Sequence, residues 1–288
     1  MNDKDLKLLH NKILELAAYF DSFCKENNIK YYLMGGTALG AVRHSGFIPW
    51  DDDFDVFMDR ENYLQFLLIA KSKLGDNYYL QEENTTEWPL YFSKIRMNNT
   101  TFIEKYVIDK DMHHGIYIDI MCLNECSSYT FVRYLQYLSA RFLSARALAE
   151  RGYITNSILK KIVLFFMKNL IPYFIIRLLL NFVRSFNGKK TNLIGHFFGR
   201  APFKKTSFKK SFLGSARNIK FSSLNLPVPE FVEKYLSVRY GEYFMDLPSE
   251  AEKMGYPSHA FIVDTTKSYK KYINQSKNKD NKYSMEKI

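Results

Sequence analysis

Between Tyr31 and Asp59 the chain reads YYLMGGTALGAVRHSGFIPWDDDFDVFMD, and four of the five residues from Asp51 to Asp55 are aspartates. Crowded carboxylates repel, because each anion destabilises its neighbours. Such a run persists where water solvates it as a turn or where a cation offsets the repulsion. Here Pro49 and Trp50 precede the run and Val56-Phe57-Met58 follow it, so the carboxylates interrupt an apolar strand. Breaks of local patterning of this kind mark functional sites. In a strand, residues i and i+2 share a face. Asp53 and Asp55 are therefore expected to project together into a cleft, with Phe54 and Val56 turned to the core. Two carboxylates side by side suit a hard divalent cation, Mg²⁺ first and Mn²⁺ as its substitute, holding a substrate phosphate.

Two further features belong to the same chemistry. Gly35-Gly36-Thr37 follows an apolar run and opens a short helix, and a helix N-terminus is a ready phosphate cradle. Asp119 stands alone in the strand HHGIYIDIM, where burying it is costly unless something pairs with it. It is the expected third carboxylate, either a metal ligand or a general base. The combination points to metal-assisted phosphoryl or nucleotidyl transfer.

The elements that must position these residues follow from periodicity. Leu6, Leu9, Ile13, Leu16, Ala17, Phe20 and Phe23 recur at three- and four-residue spacing and predict an amphipathic helix over 4–28. A strand is expected at Tyr31–Met34, a short helix at Ala38–Arg43 and a longer one at Glu61–Lys73. Strands follow at Tyr78–Gln81, Tyr91–Met97, Phe102–Glu104 and 113–121. From Tyr129 the pattern turns helical to about residue 187. Lys/Phe-rich loop or strand then runs to 220. The sequence Leu226-Pro227-Val228-Pro229 is expected to initiate a helix over Glu230–Tyr240, and 275–288 reads as a polar tail. The organisation expected is a core over 1–126, a basic hydrophobic helical region over 127–215, a segment returning to the core over 216–265, and a tail over 266–288.

The stretch 158–186 looks at first like a membrane span. Lys160, Lys161, Lys168, Arg177 and Arg184 interrupt it, however, and Pro172 divides it. Its longest uncharged run falls far short of the roughly 18–20 apolar residues a span needs. A basic amphipathic helical pair fits instead, lying on a membrane surface or packed on the core, with equal weight on each. The net charge of +11 and the pI near 9.3 call for an anionic partner. Cys24, Cys122 and Cys126 are an odd count, and the charged N-terminus lacks an apolar signal core. Reduced buried thiols and a cytoplasmic location, peripheral on the inner membrane face, are expected. A zinc site from Cys122, Cys126, His113 and His114 matches no common ligand spacing.

GGTALGAVRHSGFIPWDDDFDV, KIRMNNTTFIE and HHGIYIDI, with LPVPEFVEKYLSVRYGEYFMDLP near the C-terminus, resemble the LicD family of the nucleotidyltransferase superfamily. The resemblance covers about residues 25–125 and 225–260; the helical middle matches only in being helical and hydrophobic. It implies an α+β fold, a nucleotidyltransferase-like mixed sheet core flanked by helices, with a largely helical second half. It also implies transfer of phosphocholine or another phospho-alcohol from a CDP-alcohol such as CDP-choline to a sugar of a lipid-linked glycan, with no nucleic acid involved. Carried over by position, Asp53, Asp55 and Asp119 would bind the metal and Asp119 would take the proton from the attacking hydroxyl. Gly35, Gly36 and Thr37 would contact phosphate, and Lys94 and Arg96 would face the diphosphate. Asp51 and Asp52 would support the ligands. Arg43 and His44 would touch the donor or serve structure, in equal measure. His113 and His114 read first as ordinary polar contacts, and His259 is a weaker candidate. The alternative reading is a nucleotidyltransferase acting on RNA or a small molecule.

Overall fold

The computed structural model describes residues 1–104, 107–108, 110–153, 155–253, 255 and 258–273. Helix α1 (Asp3–Glu26) is capped by Asn2 and buries Leu9, Ile13, Leu16, Ala17, Phe20 and Phe23, as the spacing predicts. Strand β1 (Tyr32–Leu33) leads straight into α2 (Gly35–His44). Gly35-Gly36-Thr37 is thus the first turn of that helix rather than a turn ahead of it, and Gly35 has the positive φ of 64° that glycine tolerates. Strand β2 (Asp55–Asp59) hands Asp59 to α3 (Arg60–Lys73) as its N-cap, accepting from the Asn62 amide.

Next come β3 (Tyr78–Gln81), β4 (Ser93–Met97), β5 (Thr101–Glu104) and the ten-residue β6 (Tyr117–Cys126). The sheet order is β1-β2-β6-β4-β3, with β6 central; β2 and β6 run parallel and the other neighbours antiparallel. The fold is α+β, as the sequence implies.

The region after β6 is less purely helical than its composition suggests. Helices α4 (Thr130–Glu150), α5 (Ile158–Asn169) and α6 (Tyr173–Arg184) are followed by β7 (Leu193–Gly195) and β8 (Ser207–Lys209). β7 pairs with the far end of β6 and β8 pairs with β7, so this region adds two strands to the sheet. Its own core unites Ala140, Leu143, Ala147, Ile176 and Val183 with Trp88, Leu90 and Tyr91 from before residue 126.

Strands β9 (Arg217–Phe221) and β10 (Leu224–Val228) form a hairpin, and α7 (Val232–Tyr240) follows. The two prolines therefore do not start the helix: Pro227 lies within β10, opposite Asn218 in a two-stranded ribbon where a missing N–H can face away from the partner. After the short α8 (Glu250–Lys253), β11 (Ala260–Asp264) returns to pair with β5. The expected polar tail at 275–288 lies outside the described residues. All three cysteines are free and buried.

Candidate active site

The register of the sheet gathers the acidic residues. Asp55, at the first position of β2, is the partner of Asp119 on β6, and Asp119 is the partner of Lys94 on β4. Asp119 thus stands between a carboxylate on one side and an ammonium on the other. Asp53 precedes the strand proper, in extended chain whose Phe54 carbonyl accepts from the Asp119 amide at 2.9 Å. Phe54 and Val56 are buried and Asp53 and Asp55 are not turned with them, which is the alternation expected.

Helix α2 closes one side of the cluster. A β-carbon on Gly35 would lie 3.0 Å from Asp55 Oδ2, and one on Gly36 would lie 3.0 Å from Asp51 Oδ2. The two glycines let both carboxylates approach the positive end of the helix, where first-turn amides have no intrahelical acceptor. Two of the three predicted phosphate contacts have donors or acceptors already engaged. The Gly35 amide donates to the Tyr235 hydroxyl of α7 at 2.9 Å, and the Thr37 hydroxyl accepts from the Asp55 amide at 2.7 Å.

The aspartates then divide into two kinds. Asp52 is 2% exposed and its oxygens accept from the Ser258 hydroxyl at 2.6 Å, the His259 amide at 2.8 Å and the Ala260 amide at 3.1 Å. His259 Nδ1 completes the set at 3.0 Å. Burial alone would raise the Asp52 carboxyl, but the His259 and Ser258 bonds outweigh it and hold it below its ordinary value. Its partner is pushed the other way: the Asp52 bond keeps His259 protonated, up to about 9. Asp51, Asp53 and Asp55 have no such support. Among the described residues no side chain donates to Asp51 or Asp55, and Asp53 has only His259 Nδ1 at 3.8 Å. Burial first, and then mutual repulsion, raises Asp51 to about 8 and Asp55 well above the carboxylate range. Burial also raises Asp53, to about 6, against the pull of His259.

Lys94 is 2% exposed, with Nζ 2.6 Å from Asp119 Oδ1 and 3.2 Å from the centre of the Tyr117 ring. Trp88 and Phe92 complete an aromatic cage around it. Burial lowers it to about 8, with Asp119 working in the opposite direction. Arg96 shares its face of β4 but is committed elsewhere, donating through Nε to Gln81 Oε1 at 2.7 Å and through Nη1 to the Gly115 carbonyl at 2.9 Å. Arg43 donates to the Phe244 and Asp246 carbonyls and to His44 Nε2, tying the end of α2 to the loop after α7. His113 holds Asn98 and stacks on Tyr79, and His114 contacts the Lys110 carbonyl. These are structural contacts outside the acidic cluster.

Three contributors carry no periodic signal in the sequence. Tyr235 arrives from α7, His259 from the start of β11, and His10 of α1 bonds the Asp51 carbonyl at 2.7 Å. Each is distant in the chain and joined to the cluster only by the fold.

Among the described residues, no three His, Cys, Asp or Glu side chains close by themselves into a metal-holding group. Mg²⁺ seldom requires one, being held by one or two carboxylates with water and substrate phosphates in the remaining positions. The donor-poor, mutually repelling Asp53 and Asp55, with Asp119 in register beside them, fit such an ion.

Residues 28–138 match the family described as LicD/FKTN/FKRP, nucleotidyltransferase domain. The chain is 25% identical over 257 residues to the lipopolysaccharide cholinephosphotransferase LicD of Haemophilus influenzae, an alignment covering 87% of this chain and 95% of that one. An uncharacterised protein of Rickettsia prowazekii is 32% identical over 108 residues, 37% of this chain and 36% of its own. One from Rickettsia typhi is 54% identical over 44 residues, 15% and 14% of the two chains. The domain match takes in β2, β4 and β6 with every carboxylate of the cluster, so the part of the chain that builds the site is the part that is similar to the LicD family.

Proposed function

We propose that this chain is a LicD-family transferase that moves phosphocholine, or another phospho-alcohol, from a CDP-alcohol to a sugar hydroxyl of a lipid-linked cell-surface glycan, on the cytoplasmic side of the membrane. One observation carries the reading: three half-buried carboxylates, Asp51, Asp53 and Asp55, are crowded together with no described side chain hydrogen-bonded to them, Asp51 and Asp55 against the start of α2. Repulsion of that size is tolerable where a cation and a phosphate belong. The likeness to the Haemophilus cholinephosphotransferase supports phosphocholine as cargo and lipopolysaccharide biosynthesis as the setting.

Asp53, Asp55 and Asp119 would hold Mg²⁺, with Mn²⁺ able to substitute, and the bound ion would neutralise the donor diphosphate and the leaving phosphate. The Gly36 and Thr37 amides, at the positive end of α2, bind phosphate oxygen. Lys94 fixes Asp119 through Oδ1. The other carboxylate oxygen takes the proton of the attacking hydroxyl. That hydroxyl oxygen bonds to the alcohol-bearing phosphorus as the bond to the bridging oxygen breaks, and CMP leaves with the electron pair. Arg96, behind Lys94, braces the strand against Gln81 and Gly115. Arg43 sets the angle of α2 through the 244–246 loop.

The test is a donor screen. Purified protein is incubated with Mg²⁺, a glycan acceptor and CDP-choline, CDP-glycerol or CDP-ribitol in turn, and CMP is measured. At least one donor should give CMP only when acceptor is present. Absence of CMP from all of them would overturn the reading.

A further inference from the structure

The excess positive charge of the chain occupies one stretch. No Asp or Glu occurs between Glu150 and Glu230, whereas 15 of the 41 Lys and Arg do; elsewhere 26 basic side chains stand against 30 acidic ones. Helices α5 and α6 lie in this stretch and expose apolar side chains. No residue of α5 is buried; Ile158 is 75% exposed, Leu159 71% and Phe165 62%. On α6 only Ile176 and Val183 are buried, while Tyr173, Phe174 and Leu178 stand out into solvent. Contiguous apolar surface of this kind marks an interaction site. Lys160, Lys161, Lys168 and Arg177 are exposed on the same two helices, whereas Arg184 is held by Glu83 at 2.7 Å.

Exposed apolar side chains with cations among them and no anion complement an anionic bilayer, which offers acyl chains and phosphates together. Nucleic acid would use the cations and leave the Ile, Leu and Phe side chains in water. Among the described residues no single helix is long and apolar enough to cross a membrane. The two helices pass that test only together, and they are bent by 96° at the break between them. Each arm of 12 residues is about 18 Å long. That falls short of the roughly 30 Å hydrocarbon core. The arm is secured to the body by α6, whose Val183 carbonyl accepts from Gln136 Nε2 at 2.9 Å.

We propose that α5 and α6 form an interfacial arm that docks the protein on an anionic phospholipid surface, its apolar side chains seated at the headgroup level and its lysines on lipid phosphates. This concerns where the chain sits, not what it transfers, so binding is read without turnover.

The full chain is floated with vesicles of phosphatidylcholine alone or mixed with phosphatidylglycerol. It should rise with the mixed vesicles and less so at high salt. The variant F165Q/F166Q/F174Q, altered only at exposed positions, should lose roughly tenfold or more in partition with no change in melting temperature. K160E/K161E/K168E should lose the preference for the anionic lipid. The proposal is overturned if the wild type ignores both vesicles, or if both variants float as it does. It is equally overturned if alkaline carbonate fails to strip the protein, which would mean insertion. Vesicle-blind protein that binds RNA, or forms a dimer on light scattering that F165Q/F166Q/F174Q dissolves, would assign the face to those partners instead.

Discussion

Two regions of this molecule break the ordinary rules of burial in opposite senses. At the end of the sheet, carboxyl groups are drawn partly out of water: Asp51, Asp53 and Asp55 crowd together where desolvation and repulsion raise all three. On α5 and α6, apolar side chains are left outside. Neither arrangement favours the isolated fold, and each becomes favourable when a partner of complementary chemistry arrives. The difference lies in what the partner must be: small and cationic at the sheet, extended and anionic at the arm. A second contrast runs through the acidic segment itself, since Asp52 is fully bonded while Asp55, three residues on, has no side-chain donor.

The largest effect should separate those two aspartates. Asp55→Asn is expected to lower turnover by about 10³-fold or more, the scale of losing a principal electrostatic group from a site. It should not lower the melting temperature. Asp55 is raised in the folded state, so folding at neutral pH works against the ionised form that the unfolded chain prefers, and an amide there removes that cost. Loss of activity accompanied by unfolding would merge the two kinds of aspartate into one. Asp52→Ala should behave in reverse. It leaves the Ser258 hydroxyl and the His259 and Ala260 amides without their acceptor and frees the His259 ring, at a cost of about 3 kcal/mol. For a chain of this size that lowers the melting point by roughly 10 °C. A melting curve like the wild type's would show that β11 is held by something other than Asp52.

A smaller effect should come from the joint between the regions. Arg151, just after α4, donates to Glu104 of β5 at 2.7 Å. Burial would raise Glu104, but Arg151 first and Lys94 next outweigh it and hold the carboxyl down to about 2. A folded value below the unfolded one means stability that is fully present above the unfolded value, about 4.3. That stability is lost as pH falls through 2. Glu104→Gln should therefore cost up to about 3 kcal/mol at neutral pH. In denaturant titrations the gap between the two proteins should narrow below pH 4. A constant gap across that range would assign the cost to packing instead of charge.

Much of the sheet was legible because its residues follow period two with a purpose. Asp53 and Asp55 break an apolar run at i and i+2, and Asp119 breaks another, so chemistry and register could be read together. Helix α1 was legible from its stripe. The rest depends on contacts that no local pattern encodes. Whether Arg96 meets a substrate or Gln81 is decided by β3, its neighbour in the sheet, and not by its own strand. His259 and Tyr235 reach the cluster over about 200 residues of chain. Pro227 reads as a helix signal because proline fixes φ for a first turn, yet a two-stranded ribbon has room for it as well. The helical periodicity of 158–186 could not say which face is covered, because its apolar residues occur nearly all round.

The smallest expected effect is the most discriminating for the second region. If α5 is an arm waiting for a partner, its apolar side chains contribute nothing to the isolated fold. Phe165→Gln, at 62% exposure, should then change stability by no more than about 0.5 kcal/mol. Val183→Ala removes two methyl groups from a position with no exposure, packed in the core with Leu143 and Trp88. It should cost about 2 kcal/mol. Both changes lie within 20 residues of one another in a stretch of uniform composition, so propensity cannot account for a difference between them. The comparison is read from paired urea curves of the detergent-free protein. Equal losses would mean that α5 is already packed against the body in solution, and the contrast between the two regions would collapse. A loss confined to Val183→Ala would mean that the apolar surface of α5 is held in reserve for contact with something else.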